Sequence, residues 1–473
     1  MPDRPNILIL MADQHSPRIL GYYGDRVQTP HLDRLAAEGV TFDNAYCNSP
    51  LCVPSRMSFL TGQHCHQIGV WENGDALSSD IPTFLHSLGI AGYRTVLAGR
   101  MHFIGGDQMH GFLERAEGDI TSGHLGQNRT EYRDQGHFGC RESLDHAGCD
   151  HTMDLEYDNA VTAAACRTIY NHRVEGDPRP LCLVVGYYSP HDPYAAPPEY
   201  YNRYAEGAEL PPDWRGESVH RFTMSKIKQG QFDRVPEEKV LAARAAYRGK
   251  VNFLDDLVGR VLEAWRRTSM DDDAVTVYLS DHGDMLGEHG LWAKTSFYDP
   301  SAGIPMIWHG PCRLQQGKRE GQVVSQLDVA PTLLEVAGAE PLPDARGQSF
   351  LPALTERSAP LPGLALSELA RTGNGGPCRM VRHGKWKYNA YREWSPELYD
   401  METDPGEMHN LADDPSTEKV RRELDDLVRA DGWHPDVVAH TLHERKAGQA
   451  MITRWTQATS PTDPHMWGRP APL

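Results

Sequence analysis

The strongest candidate for chemistry in this sequence is Cys52, within the segment 49–62. Pro54 has the backbone angle of a first helical turn, and Gly62 is the residue type that commonly ends a helix in the left-handed conformation. The segment therefore predicts a short helix that begins beside Cys52. Unpaired N–H groups and the helix dipole should lower the pKa of its thiol and attract an anionic ligand. The alternative is that Cys52 is a small buried hydrophobic residue.

Further polar residues follow apolar runs that we interpret as buried strands. The first run, 6–11, is continuous and leads to Asp13 and Gln14. In an open α/β sheet the carboxyl ends of parallel strands meet at one edge, where ligands bind. Similar runs at 93–98, 181–187 and 274–279 bring more candidates to that edge, namely Arg100, His102, His191, Asp281, His282 and, slightly later, Lys294.

These residue types suit two kinds of chemistry. Asp13-Gln14 and Asp281-His282 form two candidate pairs of metal ligands, although Asp13-Gln14 alone would also fit a turn. Arg100 and His102 follow a glycine and are candidates for an oxyanion or general-base site.

The elements that must position these residues indicate an α/β fold, with a large mixed, mostly parallel sheet flanked by helices. Apolar residues at helical spacing predict packing helices at 238–265 and 328–338. We expect a catalytic α/β domain over 1–355 and a C-terminal subdomain over 356–440. That subdomain should be an antiparallel sheet with one helix at 416–430. The tail, 441–473, shows little pattern, and we expect it to contact a neighbouring subunit of a homo-oligomer.

Composition excludes several classes of protein. A formal net charge of −18 argues against nonspecific binding to nucleic acid or to an anionic membrane. An anionic substrate must then be attracted by a local positive site. No apolar run approaches the length of a membrane span, and the first residues do not resemble an export signal. Nine scattered cysteines do not suggest a disulfide framework, so we expect a reducing, cytoplasmic location.

The motif Cys52-x-Pro54-Ser55-Arg56, followed by Thr61-Gly62, resembles the signature of the type I sulfatases of the alkaline-phosphatase-like superfamily. The order of the other blocks is also similar to that family: Asp13-Gln14, Gly99-Arg100-Met101-His102, Ser189-Pro190-His191, Asp281-His282, Lys294 and the closing Leu398-Tyr399-Asp400 to Asn410-Leu411-Ala412. The wording around Arg100, His191 and Gly287-Glu288-His289 is most similar to the choline sulfatases. The resemblance covers the chain from Asn6 to Ala412.

The resemblance implies hydrolysis of a sulfate monoester. A formylglycine-generating enzyme would oxidise Cys52 to formylglycine, whose hydrate would be the nucleophile. Asp13, Gln14, Asp281 and His282, with an oxygen of that modified residue, would hold one divalent cation, Ca²⁺ or else Mn²⁺. Many sulfatases have Asp-Asp and Asp-Asn in place of the two pairs found here, which leaves the metal preference open.

The resemblance also implies roles for the remaining candidates. His191 or Lys294 would protonate the leaving oxygen, and Arg56 and Arg100 would carry charge on the transferring group. His102 would take a proton from the second hydroxyl of the hydrate. Arg100 stands where lysine is usual, and arginine does not donate a proton.

The identity of the alcohol depends on the pocket. Trp71 and Asn73 are candidate substrate-binding residues. A trimethylammonium group would need an aromatic cage, for which the nearby aromatics are Trp71, Tyr187, Tyr188, Trp292 and Phe297, with core packing as the alternative. Two other functions remain open: a phosphonate monoester or phosphodiester hydrolase of the same superfamily, and a non-catalytic relative in which Cys52 stays a thiol.

Overall fold

A computed structural model of the protein describes residues 4–121, 123, 140–217, 219–310, 313–356, 360–370, 376–459, 461, 463 and 465–468. The strands are β1 Asn6–Asp13, β2 Val40–Tyr46, β3 Arg94–Gly99, β4 Glu114–Glu117, β5 Gly148–Cys149, β6 Leu181–Pro190, β7 Ala195–Ala196, β8 Ala274–Ser280, β9 Met306–His309, β10 Lys318–Ser325, β11 Leu364–Leu369, β12 Cys378–His383, β13 Trp386–Tyr391 and β14 Glu397–Asp400.

The α-helices are α1 Pro30–Glu38, α2 Cys52–Thr61, α3 Cys65–Ile68, α4 Phe84–Ile90, α5 Cys140–Asp145, α6 Met153–Glu175, α7 Pro198–Ala205, α8 Arg221–Gly230, α9 Glu237–Arg267, α10 Asp299–Ala302, α11 Val329–Ala337, α12 Leu351–Thr355, α13 Glu418–Arg429 and α14 Pro435–Thr459. None of these described helices is both long and apolar enough to cross a bilayer.

Strand β1 lies in the middle of an eight-stranded sheet with the order β10-β2-β9-β8-β1-β6-β3-β4. It runs parallel to both neighbours, so that Leu8 pairs with Leu183 on one side and with Thr276 on the other. Only β9 runs antiparallel to its neighbours in this sheet, β8 and β2. The predicted mixed, mostly parallel sheet is confirmed, and its parallel strands deliver their carboxyl ends to one edge.

Both faces of β1 are covered, which explains its uninterrupted apolar sequence. Ile7, Ile9 and Met11 pack in a core with residues of α2, α4 and α11. The alternate residues, Leu8 and Leu10, pack in a second core with residues of α6 and α9. The two helical layers therefore hold β1, and with it Asp13 at its end, in a fixed position.

The C-terminal part contains a separate antiparallel sheet, β11-β12-β13-β14, with α13 packed on it through Leu424 and Val428. The predicted sheet and helix are confirmed. Beyond 440, where the sequence shows little pattern, α14 continues from Pro435 to Thr459. Most of its side chains are exposed, so no apolar stripe marked the helix in the sequence.

The chain after 440 packs on earlier parts of the same chain. Arg445 donates to the carbonyl of Gly69 at 2.7 Å, and its guanidinium lies 5.0 Å from the centre of the Trp71 ring. Further along, Trp467 packs edge-on against Tyr157, with 5.5 Å between the ring centres. The tail therefore returns to the side of the domain that carries β4 and α6.

Candidate active site

Cys52 is the first residue of α2, as the sequence predicts. Leu51 is extended before it, and Gly62 ends the helix in the left-handed conformation with φ 66°. The whole helix is buried, Cys52 included. The thiol therefore sits at a helix N-terminus enclosed by protein.

Four side chains that could bind a metal meet beside this helix. The potential ligand atoms of Asp13, Cys52, Asp281 and His282 all lie within 4.8 Å of one another. Nε2 of His282 is 3.3 Å from the sulfur of Cys52, and Nζ of Lys294 is 3.2 Å from the same sulfur. The ends of β1 and β8 and the start of α2 thus bring together residues that are far apart in the sequence.

The surroundings of Cys52 determine its charge. Burial alone raises the pKa of the thiol, but Lys294 and His282 outweigh it, and the net pKa lies well below the ordinary value. The direction agrees with the prediction from the helix N-terminus. Among the neighbouring groups that lower this pKa, Lys294 contributes most.

Arg56 lies beneath the two carboxylates. Its Nε donates to Asp281 Oδ2 at 2.8 Å and its Nη2 to Asp13 Oδ2 at 3.2 Å, with all three side chains fully buried. The remaining nitrogen, Nη1, donates to the carbonyl of Arg100 at 2.9 Å. The guanidinium is therefore committed to holding the two carboxylates in place.

Arg100 occupies the other side of Asp13. Its Nε donates to Asp13 Oδ2 at 2.6 Å, and its Nη1 donates to Asp119 Oδ1 at 3.2 Å. Asp119 also accepts the backbone N–H of His102 at 2.8 Å, so one carboxylate fixes both Arg100 and His102. Asp119 was not among the residues predicted for the site. It follows β4, whose half-buried polar sequence Glu-Arg-Ala-Glu gives no strand signal.

His102 is held in a defined tautomer. Arg100 Nη2 lies 2.8 Å from His102 Nδ1, and because arginine only donates, Nδ1 accepts and a neutral ring carries its proton on Nε2. His102 also shares a hydrogen bond with Cys52. Burial and the charge of Arg100 lower the pKa of His102 to about 4, so the imidazole is neutral at pH 7.

Gln14 is oriented by Asp284. The Nε2 of Gln14 donates to Asp284 Oδ2 at 2.6 Å, and Tyr194 donates to the same oxygen at 2.9 Å. These contacts fix the nitrogen end of the amide. At the other end, Gln14 Oε1 accepts a hydrogen bond from Lys294 at 2.6 Å. The amide oxygen therefore faces the cluster and its nitrogen faces away.

Lys294 and His191 stand together on the open side of the cluster. Lys294 Nζ is 2.5 Å from His191 Nε2, and His191 Nδ1 is 2.7 Å from the carbonyl oxygen of Asp192. Both side chains line a cavity of about 250 Å³, together with Leu51, Asn73, Cys140, Asp192, Lys226, Gln229, Gly230, Phe232, Trp292, Ala293 and Thr295.

The structure brings Asn73 to the cavity and keeps Trp71 elsewhere. Asn73 lines the cavity while its Oδ1 accepts the backbone N–H of Val53 at 3.1 Å, which caps α2 from outside. Trp71 packs in the core of the C-terminal sheet beneath Arg445. The difference arises because α14, which the sequence did not predict, covers the indole.

The five aromatic residues considered for a cage do not converge. Trp292 lines the cavity, and Tyr188 packs 4.6 Å from the His191 ring. Tyr187 is buried in the core between the sheet and α6, and Phe297 lies in a core with the C-terminal sheet.

The donor set fits a divalent cation that prefers oxygen ligands. Asp13 and Asp281 contribute carboxylates, Gln14 an amide oxygen and His282 an imidazole. Arg56 and Arg100 engage one oxygen of Asp13, Oδ2, while Oδ1 faces Cys52 at 3.8 Å and His282 at 3.8 Å. Within the described residues, the one other such group is His31, Asp255 and Asp256, distant in sequence from Cys52.

Comparison with known proteins agrees with this geometry. Residues 5–339 match the family model described as Sulfatase, and residues 287–431 match the model described as N-sulphoglucosamine sulphohydrolase, C-terminal. A choline-sulfatase of Rhizobium meliloti (strain 1021) is 38% identical over 477 residues, which cover 95% of this chain and 91% of that protein. Arylsulfatase K of Danio rerio is 28% identical over 96% of this chain and 88% of its own length.

Solved structures share the fold. A 2-O GAG sulfatase superposes with a TM-score of 0.72 at 26% identity, covering 90% of this chain and 92% of that chain. A phosphonate monoester hydrolase of Agrobacterium radiobacter superposes with a TM-score of 0.75 at 22% identity, covering 90% of this chain and 96% of that chain. The second likeness is one of fold alone.

Proposed function

This chain belongs to the sulfatase family of sulfuric ester hydrolases, and we propose that it cleaves a small alkyl or aryl sulfate at the Cys52 centre. The observation that carries the proposal is the meeting of Cys52, Asp13, Asp281 and His282 within 4.8 Å at the start of α2. Lys294 and His191 stand beside this cluster and open onto the cavity. That arrangement supports a site in which a nucleophile, metal ligands and proton donors surround one point.

We propose that Asp13, Gln14, Asp281 and His282 hold one divalent cation, with Ca²⁺ preferred and Mn²⁺ as the second choice. When bound, the cation would neutralise charge on the sulfate and acidify the nucleophile. Arg56 holds the two carboxylates in place, and the hydrogen bond from Gln14 to Asp284 keeps the amide oxygen toward the proposed cation position. A formylglycine made from Cys52 by a formylglycine-generating enzyme would supply the hydrated aldehyde as the nucleophile.

The remaining residues handle protons and charge. Lys294 and His191 face the cavity side of Cys52, where the alcohol would leave, so Lys294 or His191 would donate the proton to its oxygen. His102, neutral and carrying its hydrogen on Nε2, lies on the opposite side with Arg100. Because Nδ1 accepts from Arg100 and Nε2 carries the hydrogen, His102 would accept the proton of the second hydroxyl only in the other tautomer, once the Arg100 contact on Nδ1 is released; Arg100 would stabilise the negative charge there.

The cavity favours a small alcohol. Its volume of about 250 Å³ suits a group the size of choline or a phenyl ring. Trp292 and Phe232 supply aromatic surface, and Asp192 supplies a carboxylate. These features support choline sulfate as a candidate substrate, as the choline-sulfatase relative also suggests.

The test of the alcohol compares choline sulfate with 3,3-dimethylbutyl sulfate, which has the same shape without the charge. A higher kcat/KM for choline sulfate is expected. Equal kcat/KM values would refute a pocket that recognises the cation, without contradicting the sulfatase activity.

The test of the reaction compares an aryl sulfate, an aryl phosphodiester and a phosphonate monoester with the same aryl leaving group. The sulfate should react with the highest kcat/KM, and Cys52→Ala should lose turnover on all three. A higher value for the phosphonate or the phosphodiester would reverse the assignment. We further propose that the protein is a cytoplasmic homo-oligomer. Light scattering on the purified protein tests its oligomeric state.

A further inference from the structure

A buried lysine outside the metal cluster holds the backbone on both sides of Asp192. Lys250, in α9, is fully buried. Its ammonium donates to Asp154 Oδ2 at 2.6 Å, to the carbonyl of His191 at 2.6 Å and to the carbonyl of Pro193 at 3.3 Å. A lysine has three donors, and these contacts use all of them.

A buried aspartate holds the start of the same segment. Asp158, in α6, is fully buried and accepts the backbone N–H groups of Tyr188 and Ser189, each at 2.8 Å. It lies one helical turn after Asp154, the partner of Lys250. The segment 188–193 is thus fixed at its amides by one helix and at its carbonyls by another.

Stability alone does not explain the Lys250–Asp154 pair. Removing two charges from water is unfavourable, and apolar residues of the same volume often replace such pairs without loss of stability. The contacts of Lys250 lead to His191, whose ring reaches Lys294 on one side and the carbonyl of Asp192 on the other. Since the carbonyl of His191 is held directly, the position of its Nε2 depends on Lys250.

We propose that Lys250, supported by Asp154, and Asp158 are positioning residues that hold the segment 188–193 so that His191 faces the leaving alcohol. The proposal rests on the proposed function, in which His191 and Lys294 protonate that alcohol. A proton donor matters most when the alcohol is a poor leaving group. Loss of Lys250 should therefore change the dependence of rate on the leaving group, which a merely structural defect would not do.

The experiment measures kcat/KM of wild type and Lys250→Met on 4-nitrophenyl sulfate and on phenyl sulfate, whose leaving group is worse. The expected loss on phenyl sulfate is at least about tenfold larger than the loss on 4-nitrophenyl sulfate, within the range of general acid catalysis. Asp158→Asn, which keeps the shape of the side chain, should also lose more kcat/KM on phenyl sulfate than on 4-nitrophenyl sulfate. This variant replaces Lys250→Met if the latter folds poorly.

Lys387 offers a matched control. It is also fully buried and paired with Asp299 at 2.7 Å and Glu407 at 2.8 Å, and among the described residues none of its ion pairs reaches His191. Lys387→Met should be less stable than wild type, but its kcat/KM should fall by the same factor on both substrates. Equal losses on the two substrates in Lys250→Met, or the same selective loss in Lys387→Met, would overturn the proposal.

Hydrogen exchange separates this proposal from the proposed function. The backbone N–H of His191 donates to the carbonyl of Tyr188 at 3.1 Å, so its exchange reports on the held segment. Exchange in a peptide covering 187–194 should accelerate in Lys250→Met and stay unchanged in Lys387→Met. Unchanged exchange in Lys250→Met would refute positioning even if the wild-type protein cleaved no sulfate.

Discussion

Arg56 and Asp281 form a fully buried ion pair, with 2.8 Å between Nε and Oδ2, and the same guanidinium reaches Asp13. Arg56→Leu would leave two buried carboxylates without their common partner. We expect the free energy of unfolding to fall by about 3–5 kcal/mol and turnover to be lost. Chemical denaturation measures the first and an aryl sulfate assay the second.

An exposed pair supplies the comparison for Arg56. Arg319 contacts Asp43 at 2.7 Å with more than half of its side chain in solvent. Arg319→Leu should change stability by less than about 1 kcal/mol. A similarly small change in Arg56→Leu would contradict the role of Arg56.

Asp284 should control metal affinity without binding the metal. Asp284→Ala removes the acceptor that fixes the amide of Gln14. Metal affinity should fall by about 10–100-fold, as is typical when a group that orients a ligand is lost. Titration of the apoprotein with Ca²⁺ measures it. Tyr194→Phe, which spares the Asp284–Gln14 bond, should have a smaller effect, and unchanged affinity in Asp284→Ala would refute the prediction.

The tail should influence turnover through Asp119. The backbone of Asp119 donates to the carbonyl of His465 at 3.0 Å and accepts from the N–H of Trp467 at 2.7 Å. A Cβ on Gly118 would lie 2.5 Å from that carbonyl of His465, so Gly118→Ala should displace the tail. We expect kcat to fall roughly tenfold to a hundredfold, because Asp119 holds Arg100 and His102.

Gly106→Ala is the matched control for Gly118→Ala, since a Cβ at Gly106 meets nothing within 4 Å. It should retain wild-type kcat. Truncation after residue 459 should resemble Gly118→Ala, and a truncated enzyme with full turnover would show that the tail has no effect on the site.

The pH dependence of stability should reveal Asp328. Burial raises the pKa of its carboxyl to about 7, despite hydrogen bonds from the N–H groups of Gln348 and Ser325. Between the unfolded value of 3.8 and about 7, the folded chain holds a proton that the unfolded chain has lost, so the free energy of unfolding falls as pH rises.

Asparagine does not ionise, so Asp328→Asn should gain stability relative to wild type over that pH window. The gain is on the order of 1.4 kcal/mol per pH unit. Denaturation at pH 5 and pH 8 measures it. A difference between the two proteins that is the same at both pH values would disprove the raised pKa.

Modification of Cys52 is testable by mass. Protein made together with a formylglycine-generating enzyme should be about 18 Da lighter than protein made without it, as the thiol becomes an aldehyde. Activity should rise with the lighter fraction. Cys52→Ala should show no such mass difference, and full activity in the heavier, unmodified protein would rule out the aldehyde.

The sheet and the cluster at its edge were predictable because each depends on local sequence. Strand β1 is apolar throughout because both faces are buried, and its polar end necessarily lies at the carboxyl edge. The same reasoning placed Asp281, His282 and His191. Helix α2 followed from Pro54 and Gly62, two residues whose backbone preferences act locally.

The contacts that depend on distant parts of the chain were not predictable. Asp119 acts on Arg100 from a polar strand without periodicity, and α14 is too exposed to show an apolar face. Trp71 lies close to Cys52 in sequence, yet Arg445 covers it from more than 370 positions away. Proximity in sequence therefore did not fix the orientation of a side chain.

The complete burial of Cys52 has a consequence in time. The thiol emerges from the ribosome long before Asp281 and Lys294, which form the other side of its enclosure. An enzyme that oxidises Cys52 would need to reach it in that interval, before β8 joins β1 and closes the sheet above it. Modification and folding would then compete, and a chain that folds faster would finish with more unmodified thiol. Slower folding would thus give a larger modified fraction and a higher specific activity of the preparation.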